Sequence, residues 1–273
     1  MKFTRRQCIV GTATLAASSL PISALMRAAT ASTSFDAALT DIKRRLIGFH
    51  KSIDLTQVEP GGLLTGDMEI NGGLRYDDAE LITGKGQFGI QPCARVDDVK
   101  DKERPGVLPL FEILSVSGKP NDDAKIETLR LLEVLLDVLQ FDQSQIAFVS
   151  VPQFQDLQTV LDDKGEWRSD AVAIRDPKDA RTEGDGSGYF QAPGAETGMY
   201  TAGIYYALDP NSAPIQASAQ DGWLEIGELV FDETSHFSYS LGLDRIAMAL
   251  TGEVPRWESR EQRLQNLVAL EET

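Results

Sequence analysis

Two arginines occupy positions that suggest chemistry rather than packing. Arg245 interrupts the segment FSYSLGLDRIAMALTG (237–252), whose apolar residues have helical spacing, and Arg95 ends the predicted strand FGIQPCARV. Two other predicted strands carry the carboxylates Glu112 and Glu225. Guanidinium groups on adjoining antiparallel strands, with carboxylates beside them, can hold a triphosphate and its magnesium ion. One hypothesis is therefore a phosphate-binding site.

The alternative is that both arginines form structural ion pairs. Arg245 would then pair with Asp244 or another nearby acid on a solvated helix face, and Arg95 would pair with Asp97 or Asp98 at a strand edge. Structural ion pairs are commoner than ligand-binding arginines, so each residue taken alone favours this alternative.

The elements that would position these side chains form one α+β domain. Blocks of strands lie apart from the helices in the sequence, which is typical of an antiparallel sheet flanked by helices. We predict helices over 34–53, 121–141, 156–165 and 244–251, and strands over 88–96, 108–118, 146–151, the end of 188–208, 222–232 and 237–243. The glycine-rich stretch EGDGSGYFQAPGAETG matches no phosphate-binding pattern and is predicted to be a loop.

The strand over 222–232 is predicted to separate its two glutamates. In a regular strand, alternate side chains point to opposite faces. Glu225 and Glu228 would then lie on opposite faces and could not share a pocket unless a bulge intervened.

The first 31 residues have the features of an export signal. Arg5 and Arg6 precede a mild apolar run that ends in Ala29-Thr30-Ala31, which is typical of a twin-arginine (Tat) signal peptide. The run is interrupted by Pro21 and is too short for a comfortable membrane span. An amphipathic N-terminal helix is the alternative. We therefore expect a mature domain over 32–273, in the periplasm or secreted, or in the cytoplasm if the N-terminus is not processed.

Charge and composition exclude several classes of function. Removing the signal, which carries four basic residues and no acid, changes the net charge from −16 to about −20, so binding to nucleic acid is not expected. With Cys93 as its single cysteine, the mature chain can form no internal disulfide, and His50 and His236 are too few for a zinc site. Both histidines are expected at the surface or in caps.

Five segments in order resemble the catalytic domain of class II aminoacyl-tRNA synthetases, and among them alanyl-tRNA synthetase most closely. The segments, which span roughly residues 45–252, are QPCARVDDVKD…LFEIL, AKIETLRLLEVLLDVLQFDQSQIAFVSV, GYFQAPGAETGMYTAGIYYALD, LEIGELVF and LGLDRIAMALTG. The resemblance implies an antiparallel sheet flanked by helices and allows a homodimer. It covers no tRNA-binding or editing domain, so charging of tRNA is not expected.

The resemblance also implies roles for individual residues. Arg95 would hold the α-phosphate of ATP and the substrate carboxylate, and Arg245 would hold the γ-phosphate, so these two would be the catalytic residues. Glu225 would be the candidate for Mg²⁺. The residues implied to bind ATP are Arg95, Arg104, Phe111, Glu112 and Arg245.

Departures from the family pattern fall around the implied substrate pocket. Gly227 and Glu228 stand where the family has a Trp-Asn pair, Ser238 replaces an Asp that anchors the amino group of alanine, and Ser240 replaces a glycine. We infer that Gly227 enlarges the pocket and that Glu228 takes over the amine. The expected ligand is therefore larger than alanine and carries an amine.

Two functions follow from this reading. The first is an exported protein that binds an amino acid or related amine-bearing carboxylate and has lost adenylation, a pseudoenzyme. The alternative is an ATP-dependent, tRNA-independent ligase that activates an amino acid as its adenylate.

Overall fold

A computed structural model describes residues 34–58, 86–95, 107–118, 124–152, parts of 157–170, 171–183, 188–190, 198–217, 222–231 and 237–254. The export signal and the loop that contains Arg104 lie outside these residues. The helices are α1 (Phe35–Ser52), α2 (Ala124–Glu133, continued by a π-helical turn over Val134–Val138), α3 (Pro177–Glu183) and α4 (Leu243–Thr251). The strands are β1 (Thr56–Gln57), β2 (Gln87–Ala94), β3 (Leu110–Ser117), β4 (Ile146–Ser150), β5 (Val172–Ile174), β6 (Tyr189–Phe190), β7 (Met199–Ala207), β8 (Trp223–Phe231) and β9 (Phe237–Gly242).

The described strands form one sheet in the order β1-β2-β3-β9-β8-β7-β4-β5, with β6 paired to the start of β7. Every neighbouring pair from β2 to β4 is antiparallel, and the two outermost pairs, β1 with β2 and β4 with β5, are parallel. The predicted α+β fold, an antiparallel sheet flanked by helices, is confirmed. The parallel pairs at its two ends were not predicted.

One face of this sheet carries the hydrophobic core. Phe88, Leu114 and Tyr239 are completely buried there and pack in one cluster with the apolar stripes of α1, α2 and α4. Strand alternation turns the intervening residues toward the opposite face. Among the described helices, none combines the length and apolar character that a membrane span requires.

Helix α1 is as the sequence predicts, but its buried stripe is longer. The Ser34 hydroxyl caps the helix by accepting a hydrogen bond from the Ala37 N–H at 3.3 Å. The stripe runs along one side through Phe35, Leu39, Ile42 and Leu46 and ends at His50, which is completely buried. The expectation that His50 lies at the surface or in a cap is therefore wrong, because four-residue spacing from Leu46 puts it on the core side.

Two hydrogen bonds fix the tautomer of His50. Its Nδ1 lies 2.6 Å from the Leu46 carbonyl oxygen, which can only accept, so Nδ1 carries the proton. Nε2 then accepts a hydrogen bond from the Tyr239 hydroxyl at 2.6 Å. The ring also stacks on Phe88. A neutral imidazole therefore ties α1 to the middle of the sheet.

This burial predicts a loss of stability in mild acid. Burial lowers the pKa of His50 from 6.5 to about 4, with the positive charge of Arg130 adding to the effect and the Leu46 hydrogen bond opposing it. Between pH 6.5 and 4 the unfolded chain therefore binds a proton that the folded chain does not, so stability falls as pH falls. We expect the free energy of unfolding to drop by about 3 kcal/mol over this window.

The measurement is urea unfolding of the wild type and of His50→Gln at several pH values. Carboxylates titrate in both proteins, so the difference between the two curves isolates the imidazole. A wild-type curve that runs parallel to that of His50→Gln from pH 7 to 4 would contradict the prediction.

Candidate functional site

An open cleft lies where β9 passes into α4, and its empty space of about 580 Å³ includes the solvent at its mouth. Strand alternation puts the strand residues that line it mainly on the face opposite the helices. Seven polar or aromatic residues line the cleft: Arg95, Phe111, Glu225, Glu228, Ser240, Asp244 and Arg245. Gly227 also lines it.

Arg245 lies in the first turn of α4 and makes an ion pair across the cleft wall. Its Nη1 donates to the carbonyl oxygen and to the side-chain Oε2 of Glu225, both at 3.1 Å. Asp244 is not its partner, because the Asp244 carboxylate is buried and accepts the Glu112 backbone N–H at 2.6 Å. The pair keeps about a quarter of each side chain exposed, so its charges face the cleft. A guanidinium has five N–H donors, which leaves Arg245 capacity for a ligand.

Arg95 follows β2 directly and is held by an aromatic ring. Its backbone N–H donates to the Pro109 carbonyl oxygen at 2.7 Å, which fixes its position beside the start of β3. The guanidinium carbon lies 4.9 Å from the centre of the Phe111 ring, a cation–π contact. The guanidinium is therefore oriented over the cleft by a neighbouring strand.

Glu225 and Glu228 both line the cleft, because β8 contains a bulge. Glu225 is opposite Tyr205 in β7 while Gly227 is opposite Ile204, so Ile226 is an extra residue. The extra residue reverses the alternation: Leu224, Ile226 and Leu229 all pack in the core. The regular alternation predicted for this strand is therefore wrong beyond Ile226, and the two glutamates share one face.

Gly227 is required by the bulge and does not enlarge the pocket, contrary to the sequence interpretation. A Cβ built at this residue would lie 2.4 Å from the Ser240 carbonyl oxygen and 2.7 Å from a Leu241 side-chain carbon. A side chain at 227 would therefore collide with β9 rather than project into the cleft. The absence of a side chain at 227 permits β8 and β9 to approach each other closely.

Glu112 does not join the other implied ATP-binding residues. Strand alternation turns its side chain to the helix side of β3, where both carboxylate oxygens accept from Lys43 Nζ of α1 at 3.1 Å. Its partner in the structure is therefore a helix lysine. Ser238 lies two residues before Ser240 in β9, with its backbone opposite Val230 and Ser117. Arg104 is outside the described residues.

Ser240 was noted in the sequence only as a departure from a pattern. The structure places its hydroxyl in the cleft, 2.7 Å from the hydroxyl of Ser115 in β3. Alternation in the strand SYSLG could have indicated its face, but the neighbouring strands that make it part of a site are far away in sequence.

The implied magnesium ligand has a different partner in the structure. Glu225 is paired with Arg245, and the described residues contain no group of three His, Cys, Asp or Glu side chains suited to a metal ion. The donor set therefore does not fit a resident magnesium ion held by protein side chains alone.

Cys93 lies beside the site but has no reactive character. It is completely buried opposite Phe111 in the register of β2 and β3. Burial raises the pKa of its thiol to about 12, against the smaller opposing effect of Arg95. The thiolate that nucleophilic chemistry requires is therefore absent at neutral pH.

No protein-family model matches the sequence, and no curated protein matches it. Among solved structures, the chain is similar to S. aureus histidyl-tRNA synthetase, at 10% identity over 81% of this chain and 68% of that one, with a TM-score of 0.48. It is also similar to Entamoeba histolytica asparaginyl-tRNA synthetase in complex with asparaginyl-adenylate, at 12% identity over 79% of this chain and 63% of that one, with a TM-score of 0.45. A third similar structure is the RNA binding domain of threonyl-tRNA synthetase from Cryptosporidium parvum Iowa II, at 11% identity over 84% of this chain and 70% of that one, with a TM-score of 0.46. These neighbours are class II synthetases, the class whose motifs the sequence resembles.

Proposed function

We propose that the protein is exported and binds an amino acid or a related amine-bearing carboxylate in this cleft, without charging tRNA. The observation that carries the proposal is that side chains of both charges line one cleft: the arginines Arg95 and Arg245, and the acids Glu225, Glu228 and Asp244. A zwitterion presents one charge of each sign, so it can pair with both kinds of charged side chain in a site of this kind.

The contacts of the two arginines and the two glutamates indicate that they have different roles in the cleft. Arg245 and Glu225 are already paired with each other and form a wall of the cleft. Arg95 lies over Phe111 at the cleft, and a guanidinium suits a carboxylate by geometry. Glu228 is then the acceptor for the amine. This division agrees with the role that the resemblance implies for Arg95 and with the role inferred for Glu228 from its departure from the family pattern.

Features of the sequence support the other parts of the proposal. The twin-arginine segment over 1–31 supports export to the periplasm or beyond, and a charge of about −20 after its removal opposes tRNA binding. Within the class II synthetases, a relation to alanyl-tRNA synthetase stays a prediction from motifs.

A ligase that activates an amino acid is the second candidate, since Arg95, Phe111 and Arg245 line the same cleft. In that reaction a carboxylate oxygen of the amino acid would form a bond to the α-phosphorus of ATP. The bond from that phosphorus to the bridging oxygen would break, and pyrophosphate would leave. The two guanidinium groups would neutralise charge on the phosphates.

The two candidates are separated by binding and by exchange. We would titrate the full chain with each of the twenty L-α-amino acids by calorimetry, and measure amino-acid-dependent ATP–pyrophosphate exchange. The proposal expects binding of at least one amino acid without exchange. Exchange that is lost in Arg245→Ala would establish the ligase instead.

The control for Arg245→Ala is Arg181→Ala. Arg181 stacks on Tyr189 and Tyr200 away from the cleft, so its loss removes an arginine without touching the site. Neither binding nor exchange with any amino acid, in a sample with a cooperative thermal transition, would overturn both candidates. The N-terminal sequence of the protein recovered from its native host tests export.

A further inference from the structure

The sheet has a gap at the point where the cleft opens. Antiparallel pairing between β3 and β9 ends at Ile113 opposite Gly242, because β9 passes into α4 there. The first part of β3, Leu110 to Glu112, extends beyond that point and stays paired with β2 on its other side. Backbone groups of this part that point toward α4 therefore need a partner other than a strand.

Asp244 supplies such a partner for Glu112. Its Oδ2 accepts the Glu112 backbone N–H at 2.6 Å, and Asp244 is only 1% exposed. Asp244 lies in the first turn of α4, where a carboxylate also interacts favourably with the helix dipole, and Gly242 at the N-cap has no side chain to do so. A hydrogen bond to a charged acceptor is stronger than one between neutral groups. A side chain therefore ties α4 to β3 where strand pairing has ended.

Helix α1 is tied to the same residue of β3. Both carboxylate oxygens of Glu112 accept from Lys43 Nζ at 3.1 Å, and α1 packs against α4. Glu112 thus contacts α1 through its side chain and α4 through its backbone. Strand β3 and the two helices are therefore fixed to one another at this end of the cleft.

The bond between Asp244 and Glu112 lies between the two arginines of the cleft. Arg95 stands over Phe111, the residue before Glu112, and Arg245 is the residue after Asp244. The two arginines therefore belong to different elements, and this hydrogen bond joins those elements directly. A ligand that contacts both arginines requires a constant distance between them.

We infer that Asp244 is a positioning residue, which holds Arg245 at a fixed distance from Arg95 and does not itself bind the ligand. The role requires an acceptor atom rather than a charge, because a backbone N–H can also donate to an amide oxygen. Direct contact with a charged ligand group would require the charge. The inference rests on the proposed function only in taking this cleft as the ligand site.

The test compares Asp244→Asn with Asp244→Ala. Asparagine keeps an oxygen acceptor and loses the charge, whereas alanine loses both. The full chain is titrated by calorimetry with the amino acid that binds best in the panel of twenty. Asp244→Ala is expected to weaken binding about tenfold or more, since displaced binding groups are costly. Asp244→Asn is expected to bind within about threefold of the wild type, because it keeps the hydrogen bond.

A second measurement needs no ligand. NMR follows hydrogen exchange at the Glu112 amide and at the Arg245 Nε–H in the free protein. Both are expected to exchange faster in Asp244→Ala than in the wild type and in Asp244→Asn. A merely structural role would also accelerate exchange at the amide of Phe148 in β4, which we expect to stay unchanged.

Asp142→Ala is the matched control. The Asp142 carboxylate also accepts a backbone N–H, that of Ser144 at 2.9 Å, and Asp142 is not among the residues that line the cleft. The control loses the same charge and a hydrogen bond of the same kind. It is expected to bind the amino acid as the wild type does and to keep slow exchange at Glu112 and Arg245.

The outcomes separate this inference from the proposed function. Binding by Asp244→Asn that is as weak as that by Asp244→Ala would overturn the inference and leave the proposed function standing, and so would unchanged binding by Asp244→Ala. If Asp244→Ala has no cooperative thermal transition, Asp244→Asn decides alone: retained binding supports the inference, and a tenfold loss overturns it. If no amino acid binds the wild type, the proposed function is overturned, and the exchange rates of Glu112 and Arg245 decide the inference.

Discussion

Gly227→Ala is expected to lower the free energy of unfolding by about 4 kcal/mol, a value at the high end for a single substitution. The added methyl group would start 2.4 Å from the Ser240 carbonyl oxygen and 2.7 Å from a Leu241 side-chain carbon. A backbone oxygen cannot move aside as a flexible side chain can, so β8 and β9 must separate or the bulge at Ile226 must be lost. Either response disrupts pairing in the middle of the sheet. Urea unfolding of the two proteins measures the difference.

Gly48→Ala is the control for this substitution. Gly48 lies inside α1, and a Cβ there would meet no atom within 4 Å. Alanine is favoured over glycine in a helix by up to about 1 kcal/mol, so this variant is expected to be slightly more stable than the wild type. A Gly227→Ala protein as stable as the wild type would show that the strands accommodate the methyl group and would contradict the packing argument.

The same bulge marks where prediction from the sequence ended. Helices α1, α2 and α4 and six of the nine described strands follow from local periodicity, because burial of one face leaves a pattern within a single element, whereas helix α3 was not predicted. The extra residue at Ile226 leaves no such pattern, since it is defined only by the partner strand β7. A glycine inside a strand, here Gly227, was the one local signal of a bulge. Without the bulge, Glu225 and Glu228 could not be placed on the same face.

The candidate site was predictable in its residue types and not in its contacts. Six of the site residues predicted from the sequence line one cleft: Arg95, Phe111, Glu225, Gly227, Glu228 and Arg245. The partners of these residues come from other strands and helices, so the sequence could not show that Arg245 pairs with Glu225. Strand alternation alone was sufficient to place Glu112 opposite to Phe111, on the helix side.

His50 illustrates the opposite case, in which a local signal was present. Its spacing of four residues from Leu46 continues the apolar stripe of α1, but a histidine is usually read as a polar surface residue. Its polar atoms are satisfied by Leu46 of its own helix and by Tyr239 of the sheet. The second of these contacts joins residues far apart in sequence. The position was predictable, whereas the partner was not.

Glu228→Gln is expected to weaken binding of the best amino-acid ligand about 100-fold, or roughly 3 kcal/mol. The amide has nearly the same shape as the carboxylate, so the cleft and the bulge should persist, and the thermal transition should change little. The substitution removes the negative charge of Glu228, which offsets the positive charge of the ligand ammonium in a partly buried site. The α-hydroxy acid with the same skeleton has no ammonium, and its affinity is expected to be almost unaffected. Calorimetric titration of both ligands against both proteins measures the two effects.

Glu133→Gln is the control for Glu228→Gln. Glu133→Gln removes the same charge from an exposed position on α2, so it reproduces the change in net charge without touching the cleft. If Glu133→Gln weakens binding as much as Glu228→Gln, long-range charge alone explains the effect. If Glu228→Gln binds the amino acid as tightly as the wild type does, the amine is held elsewhere. The paired acid Glu225 would then be the next residue to substitute, since the bulge at Ile226 brings both glutamates to the same face.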